Sequence, residues 1–129
     1  MRNASRVVLA ISTIGTALAI GSGVAHAAPN PTVAISAPGP NTAVVTITNY
    51  LTDPTRCGAR LYGFDEYDTP YTNVGPRSTI TFTMTNVPAG NYSVWWACNG
   101  YTGDKRFLPV GGQPQLEGKP LTEISTGAL

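Results

Sequence analysis

A period of two runs through this chain and leaves little room for anything but strands. Between Thr79 and Thr85, Ile80, Phe82 and Met84 alternate with four threonines, which gives one apolar and one hydroxylated face. Residues 42–50 repeat the pattern, with Val45 and Ile47 expected to face in and Thr46 and Thr48 out. Residues 91–98 place Tyr92, Val94, Trp96 and Cys98 on one side. Helical spacing is absent, because 11 prolines and 14 glycines interrupt any longer run. Weaker strands are expected at 32–37, 57–64 and 101–108, with a short edge strand near Tyr71. Turns are expected at Pro38-Gly39-Pro40-Asn41, Val87-Pro88-Ala89-Gly90 and Asn99-Gly100.

Short strands with one apolar face bury it only by closing against a second layer. The expected fold is therefore all-β: a single antiparallel β-sandwich of about six or seven short strands, with one disulfide.

The start of the chain reads as an export segment. Arg2 and Arg6 precede an uncharged run over 7–20, and Ala25-His26-Ala27 forms an A-x-A cleavage pattern. The run is too short to span a membrane, and Ser12, Thr13, Gly15 and Thr16 interrupt it. The expected organisation is a signal peptide at 1–27, a β-sandwich domain at 28–110 and a Pro/Gly-rich tail at 111–129. The expected location is the extracellular space or the cell envelope, with no membrane span after cleavage. Cys57 and Cys98 are the two cysteines. An even count in an exported chain predicts that they pair. Closing a loop of that length stabilises a fold by about 4 kcal/mol in the chain-entropy account.

Charge and composition exclude several functions. Without Arg2 and Arg6, six cations face seven carboxylates, a net charge of −1. Such a chain has no basic excess to hold a nucleic-acid backbone. The single histidine, His26, lies in the expected signal. Its removal leaves no imidazole for a Ser-His-Asp triad, a Cys-His pair or a His-ligated zinc. Asp65, Glu66 and Asp68 form the one dense carboxylate cluster. Paired carboxylates can run acid–base hydrolysis, and clustered oxygens can hold calcium. The expected role of this cluster is a solvated loop that discourages strands from pairing at the edge. No cofactor is expected, and a small carboxylate-dependent hydrolase is the minor alternative.

Aromatic residues supply the better lead. Trp95 and Trp96 are adjacent on a strand, so they point to opposite faces. Trp96 should enter the core with Tyr92 and Val94, leaving Trp95 outside. The candidate binding residues are Trp95, Tyr62, Tyr67 and Tyr101, because an exposed Trp flanked by tyrosines can stack on a sugar ring or anchor a protein. The partner expected from the residues is an unidentified protein or a cell-wall glycan.

Val87-Pro88-Ala89-Gly90-Asn91-Tyr92-Ser93-Val94 resembles the P-x-G-x-Y-x-V turn-and-strand opening of immunoglobulin-like and transthyretin-like extracellular modules. The resemblance implies a sandwich in which Tyr92 hydrogen-bonds across the turn. Tyr92 lies six residues before Cys98, and Cys57 follows the second expected strand. Both spacings depart from the immunoglobulin pattern, and they favour a bridge near one end of the sandwich over one across its core. The start of the chain also resembles those of small exported proteins of actinobacteria.

Overall fold

Ile80, Phe82 and Met84 are fully buried against Val45, Ile47, Leu61 and Val94, so the alternation read from the sequence does build the core. The computed structural model describes residues 30–129; the expected export segment and His26 lie outside the described residues. Among the described residues every regular element is a strand. In chain order these are β1 (Thr32–Ser36), β2 (Thr42–Asn49), β3 (Thr55–Tyr62), β4 (Glu66–Asp68) and β5 (Thr72–Val74). They continue as β6 (Ser78–Thr85), β7 (Gly90–Cys98), β8 (Tyr101–Thr102), β9 (Arg106–Val110) and β10 (Leu121–Ala128). One sheet runs β10-β6-β2-β1. The other runs β9-β7-β3-β4, with β5 also pairing β3 and β8 also pairing β7. All pairings are antiparallel. The architecture is the expected two-layered all-β one, with a higher strand count.

Most extra strands come from interruptions that periodicity does not reveal. Where a solvated acidic cluster and one short edge strand near Tyr71 are expected, the chain forms both β4 and β5. The expected single strand over 101–108 breaks into β8 and β9. Thr102 lies opposite Ala97, whereas Arg106 lies opposite Val94. Three residues, Gly103 to Lys105, therefore face the two residues Trp95 and Trp96, which is the count of a β-bulge. The extra residue sends Leu108 and Val110 into the core and leaves Phe107 outside.

Residues 111–129, expected as a Pro/Gly-rich tail, hold a strand of the first sheet. β10 pairs with β6 over eight consecutive positions, from Leu121 opposite Thr85 to Ala128 opposite Ser78. Side-chain hydrogen bonds from two turn asparagines hold the connector that leads to it. Asn41 and Asn86 both sit in the left-handed region, at φ 55° and 60°. Asn41 Nδ2 donates to the Gln113 carbonyl at 2.8 Å, and its Oδ1 accepts from the Gln113 amide at 3.1 Å. Asn86 Nδ2 donates to the Glu117 carbonyl at 2.8 Å. Such anchors leave no trace in an apolar pattern.

Cys57 and Cys98 are bonded and lie directly opposite each other in the β3·β7 register, with Cα atoms 4.1 Å apart. The bridge thus joins neighbouring strands of one sheet and does not span the two layers. Trp96 is buried to 4% exposure beside it, as expected. The backbone of Gly103 lies against its indole, so a Cβ there would overlap Trp96 Cε2. A buried indole has nowhere to retreat. Gly103→Ala should cost about 1–3 kcal/mol in urea unfolding, while Gly39→Ala, where a Cβ meets nothing within 4 Å, should leave the midpoint unchanged.

Candidate functional site

The outer face of the β9-β7-β3-β4 sheet carries the residues that face solvent from the two bridged strands. Across the β3·β7 pair, Gly58 lies opposite Ala97, Arg60 opposite Trp95, and Tyr62 opposite Ser93. Gly58 and Ala97 are small, so this stretch of the sheet is a low floor between taller side chains. On one side of the floor the β7–β8 turn brings up Thr102, opposite Ala97. On the other, a second bulge separates β4 from β5. Arg60 lies opposite Asp68, whereas Cys57 lies opposite Thr72. Three residues, Thr69 to Tyr71, therefore face Gly58 and Ala59. Thr69 anchors this bulge: its Oγ1 accepts from the Ala59 amide at 2.8 Å, and its own amide donates to the Ala59 carbonyl at 2.9 Å. The ring of Tyr71 then lies over Gly58, where an added Cβ would sit 3.4 Å from Tyr71 Cδ2.

The result is an open groove of about 340 Å³ walled by Trp95, Tyr71, Tyr62 and Arg60, with Asp68, Thr69 and Thr102 also in its lining. That volume is at the small end of the range for ligand sites, and the mix of aromatic walls with a few polar groups is typical of them. Trp95 is 44% exposed and meets the ring of Tyr62 edge-on, with centroids 5.8 Å apart. Lys105 Nζ stands 5.8 Å from the Trp95 ring and 5.5 Å from that of Phe107, a residue 74% exposed on the same face. A cation over two rings is a favourable but weak contact at this exposure.

Arg60 organises the polar side of the groove. Its guanidinium takes Asp68 through two nitrogens, Nε to Oδ1 and Nη2 to Oδ2, and Nε also lies 3.3 Å from Glu66 Oε2. Nη1 donates to the Tyr62 hydroxyl at 2.9 Å. Asp68 first, and then Tyr62, hold the Arg60 proton more tightly than usual. An exposed ion pair of this kind adds little to stability. What the fork provides is orientation, fixing the carboxylate of Asp68 and the ring of Tyr62 beside Trp95.

The sequence-predicted site residues separate into two sets. Trp95 and Tyr62 come together on the outer face. Tyr67 and Tyr101 do not join them. Tyr67 lies opposite Leu61 on the inward side and packs against Tyr92, with centroids 6.3 Å apart. Tyr101 lies opposite Cys98 and packs on Trp96 at 5.6 Å. Both cover an end of the core. The acidic cluster also divides: Glu66 and Asp68 turn to Arg60, while Asp65 Oδ2 accepts from the Tyr67 hydroxyl at 3.5 Å. Among the described residues no three acidic, histidine or cysteine side chains converge as a metal site would require. Tyr71, Thr69 and Thr102 escape a reading by periodicity, while Gly58 and Ala97 share the outward parity of Tyr62 and Trp95 but are too small to mark a site. A glycine in the middle of a strand is the one available signal, since such a residue marks a bulge or a close approach.

Tyr92 does hydrogen-bond across the turn, its hydroxyl donating to the Pro88 carbonyl at 2.5 Å. Burial first, with the nearby Tyr67 and Asp65 adding to it, raises its pKa above that of a free phenol; burial and then Asp65 raise that of Tyr67. Compared with known proteins, the chain matches no family model, no curated protein and no solved structure.

The raised phenols give stability a pH dependence of fixed sign. Both are neutral in either state below about pH 10, so their contribution is fully present there. It is lost as the pH rises from the unfolded value through the higher folded ones. Tyr92→Phe should lower stability by about 1 kcal/mol at pH 7 through the lost hydrogen bond. In alkaline titrations followed by circular dichroism, Tyr67→Phe combined with Tyr92→Phe should flatten the fall above about pH 10.

Proposed function

We propose that this protein is an exported, non-catalytic binding module of the cell envelope or extracellular space, and that it takes a glycan in the groove between Trp95 and Tyr71. The observation that carries the reading is the Gly58–Ala97 floor between those two aromatic walls. A pyranose ring presents a C–H face to an aromatic side chain and hydroxyls at its rim. Asp68 and Thr102 offer side-chain oxygens in the groove lining to such hydroxyls, and Arg60 keeps the carboxylate of Asp68 in place as an acceptor. A groove of about 340 Å³ suits one or two rings better than the broad, flat patch of a protein partner.

Several features support export and a non-catalytic role. The buried disulfide fits an oxidising compartment, and the chain begins with a signal-like segment. The two acids nearest the groove share one guanidinium. Acid–base hydrolysis instead needs two carboxylates free to take separate roles. The layered strand order and the Tyr92 turn contact agree with an immunoglobulin-like module, although the disulfide joins different strands from the immunoglobulin bridge.

Titration with soluble oligosaccharides from bacterial cell walls, followed by amide and indole NMR, tests the reading. The Trp95 indole and the amides of Gly58 and Ala97 should shift together. Trp95→Ala should weaken binding by about 2 kcal/mol, roughly thirtyfold, and Ala97→Leu should block the groove while leaving the core intact. Resonances that stay still across neutral and acidic oligosaccharides would remove the glycan reading.

A further inference from the structure

The other sheet ends in a strand whose edge is open in a way that no other edge among the described residues is. β4 and β5 have three residues each, and β4 carries Glu66 and Asp68. β9 holds Pro109, and β1 is a five-residue strand directly preceded by Pro31. Short length, charge and proline are the usual devices that keep sheet edges from pairing. β10 is preceded by Pro120, as β1 is by Pro31, but within its own span it is the longest and least protected of these edges. It runs for eight residues without proline, and Glu123 is its only charge. Among the described residues it pairs with β6 alone.

Its open groups can be assigned. Leu129 donates from its amide to the Arg77 carbonyl at 2.9 Å, one step beyond the pair of Ala128 with Ser78. Antiparallel hydrogen bonds join directly opposed residues at every second position. The odd-numbered positions of β10 therefore bond to β6. The amides and carbonyls of Thr122, Ile124, Thr126 and Ala128 point to the free edge. Ile124 lies opposite the buried Phe82, so its side chain is on the core side of the sheet, yet it remains 39% exposed.

We propose that β10 is the seam of a weak, two-fold dimer, with the β10 of a second copy as the occupant of its edge. The strand is self-complementary in one antiparallel register. Ile124 then meets the partner's Ile124, and Thr122 meets the partner's Thr126. Each pair exchanges hydrogen bonds through the open groups just assigned. The apolar side chains cover one another across the seam, as cross-strand pairs do. Glu123 falls opposite the partner's Ser125, so the two like charges do not oppose each other directly. The two four-stranded sheets become one continuous sheet, and both Trp95 grooves stay open on the other layer. A seam of one strand pair gives a concentration-dependent dimer and not an obligate one.

Sedimentation equilibrium of the protein as produced by an expressing host tests this across a wide concentration range. Wild type should fit a monomer–dimer equilibrium. Thr126→Pro removes only a donor that points outward, so it should raise the dimer dissociation constant at least about tenfold with an unchanged circular dichroism spectrum. Ile124→Lys places two cations against each other and should do the same without altering the backbone. Ser125→Pro, which removes a donor to β6, should instead lower the thermal midpoint. A wild type that stays monomeric up to about 1 mM overturns the proposal, as does a dimer that neither Thr126→Pro nor Ile124→Lys weakens. Trp95→Ala should leave the dimer intact, so this outcome is independent of glycan binding.

Discussion

The pairing of β3 with β7 sets the frame for everything on the outer face. Cys57 lies opposite Cys98 at the start of that ladder, and a covalent bond there admits one register. A slip of one residue on either strand would exchange its inward and outward side chains. It would bring Arg60 and Tyr62 toward the core, or expose Trp96 and bury Trp95. With the register held, Leu61, Val94 and Trp96 face in, while Gly58, Ala97, Arg60 and Trp95 face out. The loop-closure stabilisation of the bridge is the same whether it spans two layers or one. Its position within a single sheet adds a constraint that a bridge across the layers would not, because it fixes which residues become neighbours on the surface.

The concavity follows from how the flanking strands fail. Neither neighbour of the β3·β7 pair is continuous. Both break at the level of Gly58, Ala59, Trp95 and Trp96, and each does so by one extra residue. With unbroken flanking strands this would be a regular four-stranded sheet, without raised margins there. The bulges lift Tyr71 on one side and carry the chain past Trp96 on the other, so the floor is left open between raised margins. Each bulge has its own internal support: Thr69 bonds to both backbone groups of Ala59, and Gly103 donates to the Trp96 carbonyl while lying on its indole. The margins are therefore fixed parts of the sheet, and a ligand would meet a largely preformed surface, which lowers the entropic cost of binding.

The core was legible because it depends on alternation, and alternation is written in the residues themselves. Ile80, Phe82, Met84, Val45, Ile47 and Val94 all take the faces that their spacing implies, and the two tryptophans divide between core and surface as neighbours on a strand must. The groove was legible only in part. Trp95 and Tyr62 follow from parity alone. Tyr71 does not, because a single extra residue between β4 and β5 resets the parity, and nothing in Thr69-Pro70-Tyr71 states which partner residues it faces. Tyr67 and Tyr101 are misread for another reason: closeness to turns suggests exposure, although both lie before the bulges in inward register and pack against the core. β10 escapes for a different reason. Its residues are nearly all exposed, so no apolar stripe marks it, and its place is set by backbone pairing with β6 and by the side chains of Asn41 and Asn86.

These two kinds of invisibility separate the layers of the molecule. The sheet that carries β10 turns threonines outward: Thr46 and Thr81 share a hydrogen bond at 3.1 Å on that face, and Thr79 and Thr83 flank them. Hydroxyl pairs of this kind are satisfied locally and have little left to offer a ligand. The opposite face leaves Trp95, Phe107 and Tyr71 in contact with water. Exposed aromatic area of that extent is not needed by the core, which closes without it, and it adds nothing to solubility. Exposing it does not weaken the interior, because the disulfide and the two-layered core lie beneath it and none of those rings belongs to either. One layer can therefore carry a binding surface while the other presents an edge to a second copy, with the buried core keeping the two separate.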